Sequence, residues 1–117
     1  MSSSIKNNVI TLTRGDTLKA LVSIKLNGQP YEPVEGDKIQ FALKNSTLTA
    51  DGREYTDVRP LILKDIPIDT MVLELKPEDT KGLGFGKYVY DVQITFTDGV
   101  VDTFIPATPF ILAREVG

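Results

Sequence analysis

Two short motifs in this sequence match patterns that other proteins use for recognition or modification. Arg14-Gly15-Asp16 spells the tripeptide that integrins read on displayed loops, and Asn45-Ser46-Thr47 fits the pattern for N-linked glycosylation. Three-residue matches arise easily by chance, so a glycine turn between two strands is the favoured interpretation of the first motif. No secretion signal accompanies the second motif, which favours the start of a polar loop.

Five acidic residues in the second half of the chain raise the possibility of a calcium site or an acid–base pair. They are Glu78, Asp79, Asp91, Asp98 and Asp102. Their spacing lacks the alternating oxygen ligands of a calcium loop, and acid–base catalysis needs carboxylates whose environments push their pKa values apart. A solvated outer face is therefore the favoured interpretation.

The segment from Gly82 to Gly86 contains three glycines, a composition that phosphate-binding loops share. It precedes a predicted strand, however, so no helix N-terminus is expected there to hold a phosphate. We interpret it as a flexible corner loop. Phe85 at its tip is expected either to plug into the core or to contact a partner.

Composition removes most catalytic and metal-binding templates. The chain has no cysteine and no histidine, so disulfides, thiolate zinc sites, thiol nucleophiles and the commonest general base are excluded. We therefore expect no enzymatic activity, no cofactor and no tightly bound metal, although carboxylates and carbonyls alone can bind calcium. The net charge is −3 and the 13 basic residues are dispersed, which argues against nucleic acid and favours a protein partner.

Length and patterning predict a single domain. The chain has 117 residues, of which 41% are hydrophobic, and no apolar run approaches the length of a membrane span. No signal peptide is visible, so we expect the protein to be made and kept in a cytoplasm. Residues 1–8 are predicted to be an N-terminal arm, residues 9–113 a single domain and residues 114–117 a C-terminal tail.

Residues 71–98 predict the architecture most clearly. Apolar residues occupy every even position from Tyr88 to Phe96, and this period of two indicates a half-buried strand. The preceding strand, over 71–75, leads into a Pro-initiated corner at 77–82. In immunoglobulin-like sandwiches a tyrosine after such a corner bonds back to backbone, a role that either Tyr88 or Tyr90 could take.

Alternation and turn residues predict the remaining strands. An edge strand is expected at 9–13, a strand at 18–26 closed by Asn27-Gly28, brief pairing at 29–33, and strands at 39–44 and 61–66. The polar stretch 45–59, centred on Asp51-Gly52, predicts a loop or a mobile hairpin.

A second hairpin is predicted at Asp98-Gly99. Its expected register places Phe96 opposite Val101, Ile94 opposite Thr103 and Val92 opposite Ile105. The same register places Asp102 opposite Thr95. The prolines at 106 and 109 predict a bulge or kink in the last strand.

These elements predict an all-β fold, an immunoglobulin-like antiparallel β-sandwich of about seven or eight strands. Its expected core comprises Val22, Ile24, Phe41, Leu73, Val92, Ile94 and Phe96. Apolar residues on the opposite faces are Leu21, Val89 and Phe104, with Val100 near the hairpin. They are either scattered exposed residues or a docking surface, and together with Phe85 they are the candidate interface.

Four stretches resemble one family: 10–17, 35–44, 75–83 and 86–93. They are similar to small immunoglobulin-like structural proteins of tailed phages and prophages of Gram-positive bacteria, including the N-terminal domain of baseplate upper proteins. Baseplate upper proteins carry a long further C-terminal part, so a receptor-binding role is not expected to carry over.

The resemblance implies a virion component that binds other virion proteins or copies of itself, with no nucleic-acid or membrane partner. Two alternatives stay open. A stand-alone module binding a carbohydrate or cell-surface ligand would need exposed aromatics, and the chain has no Trp and four Tyr. An enzyme would have to use Lys, Asp or Glu alone.

Overall fold

The structure is a computed structural model that describes residues 3–6, 8–48 and 54–114. Within these residues the chain forms ten strands and one single-turn helix. The strands are β1 Ser3–Lys6, β2 Val9–Thr13, β3 Leu18–Leu21, β4 Ile24–Leu26, β5 Gln29–Tyr31, β6 Lys38–Leu48, β7 Glu54–Ile66, β8 Val72–Leu75, β9 Gly86–Thr95 and β10 Val101–Ala113, and the helix is α1 Pro77–Thr80.

The strands form two layers. One layer is a six-stranded sheet with the order β1-β2-β10-β9-β6-β7, and the other consists of the pairs β3-β8 and β4-β5. Apolar residues of both layers meet in one buried cluster, in which Leu18 and Leu73 from the small pairs join Phe41 and Ile94 from the large sheet. This arrangement confirms the predicted all-β sandwich.

The alternation pattern identified most of the core. Ile24, Phe41, Leu73, Val92 and Ile94 are all 3% exposed or less. The two remaining predicted core residues are only partly buried and pack against the cluster from its margin. They are Val22 and Phe96.

The N-terminal strands differ from the prediction in two respects. β2 was expected to be an edge strand, but β1 pairs with it antiparallel through Ile5↔Ile10 and takes the edge. A backbone role for residues 3–6 therefore replaces the expected free arm at those positions. β2 also pairs in parallel with β10, through Leu112↔Leu12, so the sheet is not purely antiparallel.

The strand predicted over 18–26 is two strands. β3 pairs with β8 as far as Leu21↔Val72, and the Val22 N–H then donates to the Met71 carbonyl at 2.8 Å. Met71, the residue before β8, has a φ of 57°, a left-handed conformation. The chain then leaves this pair, and β4 pairs with β5 around the Asn27-Gly28 turn.

The predicted hairpin register at Asp98-Gly99 is wrong near the turn and right farther from it. The structure pairs Val101 with Thr95 and Asp102 with Ile94, one residue away from the expected partners. A register shift between Thr103 and Ile105 restores the predicted Val92↔Ile105 pair, and a second shift before Thr108 matches the expected bulge. The shift at 103–105 carries no proline or glycine, which explains why the sequence did not reveal it.

The stretch 45–59 continues the β6–β7 hairpin where it is described. Ser46 pairs with Thr56 and Leu48 with Glu54, so the hairpin alternative is the correct one. Asn45-Ser46-Thr47 consequently lies within β6 instead of starting a loop. Asp51-Gly52 lies outside the described residues.

The predicted corner is present. Pro77 begins α1, the Asp79 carboxylate accepts a hydrogen bond from the Lys76 backbone N–H at 2.7 Å, and Thr80 is fully buried. Tyr88, one of the two tyrosines considered, donates to the Gly84 carbonyl at 2.6 Å and closes the loop after the corner. The helical turn therefore sets the starting point of β9.

Candidate protein-binding site

The four candidate interface residues lie in three different environments. Leu21 is 78% exposed, and Phe104 is half-buried beside it across a cleft. Phe85 is 42% exposed at the far end of the large sheet. Val89 is only 3% exposed, so its prediction as an outward contact is wrong.

Val89 lies in the interior of the large sheet. β9 is flanked by β6 and β10, and the register places Val89 between Lys44 of β6 and Pro109 of β10. The alternation placed it on the outer face, but it did not reveal how closely its neighbours pack. Val89 is therefore not available to a partner in this structure.

Leu21 and Phe104 border a cleft, which we call the lateral groove, of about 290 Å³ on one side of the sandwich. Its lining residues come from both layers and are Asn8, Ile10, Ala20, Leu21, Val22, Ser23, Lys25, Leu73, Tyr90, Val92, Phe104 and Ile105. Ile10, Leu73 and Val92 belong to the buried core, so the groove reaches the hydrophobic interior. The sandwich is open along this side.

Strand pairing explains the opening. Among the described strands, β3 pairs only with β8, so its other edge has no strand beside it. β10 pairs with β2 from Phe110 onward, and the preceding half of β10 has no described partner on that edge. Two strand edges with unpaired backbone therefore flank an apolar floor, an arrangement that an added strand can complete.

Tyr90 connects the floor of the groove to the N-terminal turn. Its hydroxyl donates to the Asn8 carbonyl, and its ring stacks on Phe41 with centroids 5.4 Å apart. Burial raises the pKa of Tyr90 to about 12. Lys25 and Ser23 supply the polar margin, which leaves the groove suited to apolar side chains and an extended backbone.

Phe85 does not enter the core. Leu83, two residues earlier, packs against the core instead. The Phe85 ring lies 4.4 Å from the Arg14 guanidinium carbon and 5.5 Å from that of Arg114, within cation–π distance of both. Of its two predicted roles, only that of a surface contact residue is compatible with this position.

The turn at Arg14-Gly15-Asp16 is the glycine turn that the sequence favoured. Gly15 has a φ of 93°, and the Asp16 N–H donates to the Thr13 carbonyl at 3.0 Å. Arg14 also donates to the Leu83 carbonyl at 3.3 Å, which ties the turn to the corner loop. A cleft of about 520 Å³ lies beside this turn, between Gly15 and Lys81.

The acidic residues considered as a cluster do not come together. Asp79 pairs with Lys64 at 3.0 Å and Asp91 pairs with Lys44 at 3.1 Å. Asp98 accepts from the Val100 N–H at 3.1 Å within its own turn. No group of three or more metal-ligating side chains occurs within the described residues.

One polar contact was not anticipated from the sequence. Tyr31 donates to the Asp37 carboxylate at 2.6 Å, and the Val34 N–H donates to the same oxygen at 3.0 Å. The bond from Tyr31, followed by that from Val34, lowers the pKa of Asp37, and the same bond raises the pKa of Tyr31. The Tyr31–Asp37 pair holds the loop between β5 and β6 in place. In the sequence, Pro33, which lies between these two residues, was the feature that indicated a fixed turn.

Exposed apolar residues also occur on the outer face of the large sheet. Leu61 is 42% exposed, Leu63 53% and Ile111 38%. Their strands were predicted, but the sequence did not single them out as contact candidates.

Comparison with known protein families, curated proteins and solved structures finds no match to this chain. Across the described residues, every helix is too short or too polar to cross a membrane.

Proposed function

We propose that this chain is a non-enzymatic structural component of a tailed-phage virion that assembles through protein–protein contacts. Its partners are other virion proteins, copies of itself or both, and its location is the particle. The observation that supports this proposal best is the lateral groove, where Leu21 and Phe104 border an opening onto the core. The resemblance of four sequence stretches to phage immunoglobulin-like proteins supplies the biological setting.

The strand order supports the immunoglobulin-like part of the proposal. In variable-type immunoglobulin domains, strands G, F, C and C′ are neighbours in one sheet, and strands B and E belong to the other. The order β10-β9-β6-β7 and the pair β3-β8 correspond to these two groups. This correspondence supports the immunoglobulin-like part of the proposal and does not bear on the phage setting.

The groove offers both components of a strand-addition contact. Its free strand edges supply backbone donors and acceptors, and its apolar floor supplies pockets for alternate side chains. Burying one large apolar side chain is worth about 1.5–3 kcal/mol, so covering Leu21 and Phe104 together would contribute several kcal/mol. A segment of a neighbouring virion protein that lies in the groove would thus complete the sandwich.

The proposal is tested with particles purified from the phage-producing strain that encodes this chain. Quantitative mass spectrometry should find it at a fixed ratio to the major structural proteins. Absence from the particles would overturn the virion assignment, and a stand-alone binding module for a carbohydrate or cell-surface ligand would then be the better account.

A matched pair of variants tests the groove. Leu21→Asp places a charge on its margin, whereas Leu63→Asp makes the same change at a similarly exposed leucine on the outer sheet face. Both variants should fold, because both side chains are exposed. Leu21→Asp should be incorporated into particles at least about tenfold less than Leu63→Asp. Equal incorporation would exclude the groove as the contact.

A further inference from the structure

The two ends of the large sheet differ in charge, and each end carries exposed apolar residues. At one end β9 begins at Gly86, opposite Leu112 of β10. At the other end β9 finishes at Thr95, opposite Lys38 of β6 and Val101 of β10. Because the strands run between these ends, the charges near their termini are separated by the length of the sheet.

The first end is basic. The two arginines at the Phe85 ring hold their guanidinium groups on one aromatic surface, and Lys81 lies across the adjoining cleft of about 520 Å³. Lys87 is the second residue of β9, which starts at this end. Around the Phe85 ring the neighbouring acidic residues are Glu78, in the cleft, and Asp16, in the turn. Farther across the sheet, the β6–β7 hairpin also brings the backbone of Glu54 and Asp57 to this end, so the basic character belongs to the corner around Phe85.

The second end is acidic. A Cβ at Gly36 would lie 2.7 Å from the Thr97 side chain, so the turn around Glu35 and the turn around Asp98 are neighbours. The exposed carboxylates of this region are Glu32, Glu35, Asp98 and Asp102. Lys38 is a positively charged residue at this end, where the register pairs it with Thr95.

Each end also presents an apolar surface. Phe85 is 42% exposed at the basic end, and Val100 and Val101 are 56% and 53% exposed at the acidic end. Interfaces commonly combine an apolar centre with a polar surround, and arginine and aromatic residues are enriched in them. The basic end has this composition, and the acidic end carries charge of the opposite sign.

We propose that the basic end binds the acidic end of a second copy, which gives a head-to-tail contact between copies of this chain. The inference rests on the proposed function, because it names one partner of a protein that assembles. Charge complementarity selects this occupant: the chain has a net charge of −3, so copies repel one another unless opposite ends meet. A contact between two different surfaces of one molecule leads to a ring or to a filament.

Two charge-reversal variants test this contact by sedimentation velocity of the purified chain. The double variant Lys81→Glu with Arg114→Glu makes both ends acidic, and Glu35→Lys with Asp98→Lys makes both ends basic. The wild-type protein should self-associate at low salt, and about 0.5 M NaCl should weaken association because it shortens the Debye length. Each variant alone should associate at least about tenfold more weakly, whereas an equimolar mixture of the two should regain association.

A control variant separates local charge from total charge. Lys19→Glu with Gln29→Glu lowers the net charge by three, against four in the basic-end variant, and both side chains are exposed on the small strand pairs outside the lateral groove. It should associate like the wild-type protein. A wild-type chain that is monomeric at all salt concentrations, or variants that fail to rescue each other when mixed, would overturn the head-to-tail contact. The particle experiment tests the virion assignment independently, so the two failures are distinguishable.

Discussion

Ile94 offers the sharpest test of which face of β9 points into the core. It is fully buried in β9, between Ile39 of β6 and Asp102 of β10. Replacement by Asp removes the apolar contacts and buries a carboxylate, at a combined cost of about 4 kcal/mol or more. Because domains of this size are stable by only about 5–15 kcal/mol, Ile94→Asp should abolish or severely lower the cooperative thermal transition.

The neighbouring position supplies the control. Gln93 lies on the opposite face of β9, and Gln93→Asp should change the free energy of unfolding by no more than about 1 kcal/mol. Both variants are compared by circular dichroism during heating. Equal melting temperatures for Ile94→Asp and Gln93→Asp would contradict the assignment of faces.

Asp37 should make stability depend on pH. Its folded-state pKa lies below its ordinary value of 3.8, chiefly because Tyr31 donates a hydrogen bond to the carboxylate. The resulting stabilisation is present above pH 3.8 and is lost as the pH falls through the lowered folded-state pKa. Asp37→Asn should therefore melt below the wild-type protein at pH 7, and the gap should narrow toward pH 2.

Tyr31→Phe serves as the partner variant, because it removes the hydroxyl and keeps the ring beside Phe96, whose centroid lies 5.6 Å away. It should show the same narrowing toward low pH. A gap that stays constant from pH 7 to pH 2 for both variants would contradict the role given to the Tyr31–Asp37 hydrogen bond.

The sequence predicted well which residues of a strand face the core. It predicted less well how exposed the residues on the opposite face are. Alternation correctly placed Phe41 and Ile94 in the core, because one face of each strand must pack against the second layer. Exposure of Val89 and Leu21, by contrast, depends on neighbouring strands that are distant in sequence. Only the fold shows that Val89 is covered and that Leu21 borders a groove.

At the scale of elements, residues that favour a particular backbone conformation were the most reliable indicators of where turns occur. Asn27-Gly28 and Pro77 mark the turns that the structure contains. The division of 18–26 between β3 and β4 was not predictable, because the alternation continues through the break. The break coincides with the hydrogen bond from Val22 to Met71, nearly fifty residues away, a contact that local patterning cannot reveal.

The turn between β5 and β6 should depend on glycine at position 36. Gly36 has a φ of 99°, and an added Cβ would lie 2.7 Å from Cγ2 of Thr97. Backbone strain and this close contact should together cost about 1–3 kcal/mol in Gly36→Ala. Urea denaturation measures the loss of unfolding free energy.

Two comparisons separate the causes. A Cβ at Gly84 meets no atom within 4 Å, so Gly84→Ala should be nearly neutral. Introducing Thr97→Ser removes Cγ2, and Gly36→Ala should then cost less than in the wild-type background. If Gly36→Ala lowers the free energy of unfolding as little as Gly84→Ala does, the close contact assigned between the two turns is wrong.

At the scale of the whole molecule, the sandwich has an open side and two ends of opposite charge. The lateral groove is lined in part by the buried core residues Ile10, Leu73 and Val92, and the ends combine charge with exposed apolar residues. Sequence alone grouped Leu21, Phe104 and Phe85 with Val89 as one candidate interface. It could not show that Leu21 and Phe104 share a groove from which Phe85 is separate, because this relation is set by the pairing of strands.

The most direct test of the proposed assembly measures the exposure of the groove inside the particle. The chain has no cysteine, so Leu21→Cys and Leu63→Cys each introduce a single thiol for maleimide labelling. Both thiols should react readily in the free protein, because the native side chains are 78% and 53% exposed. If a partner strand lies in the groove, as proposed, Leu21→Cys should be protected by at least about tenfold in purified particles and Leu63→Cys should remain reactive. Equal labelling at the two positions in particles would contradict assembly through the groove.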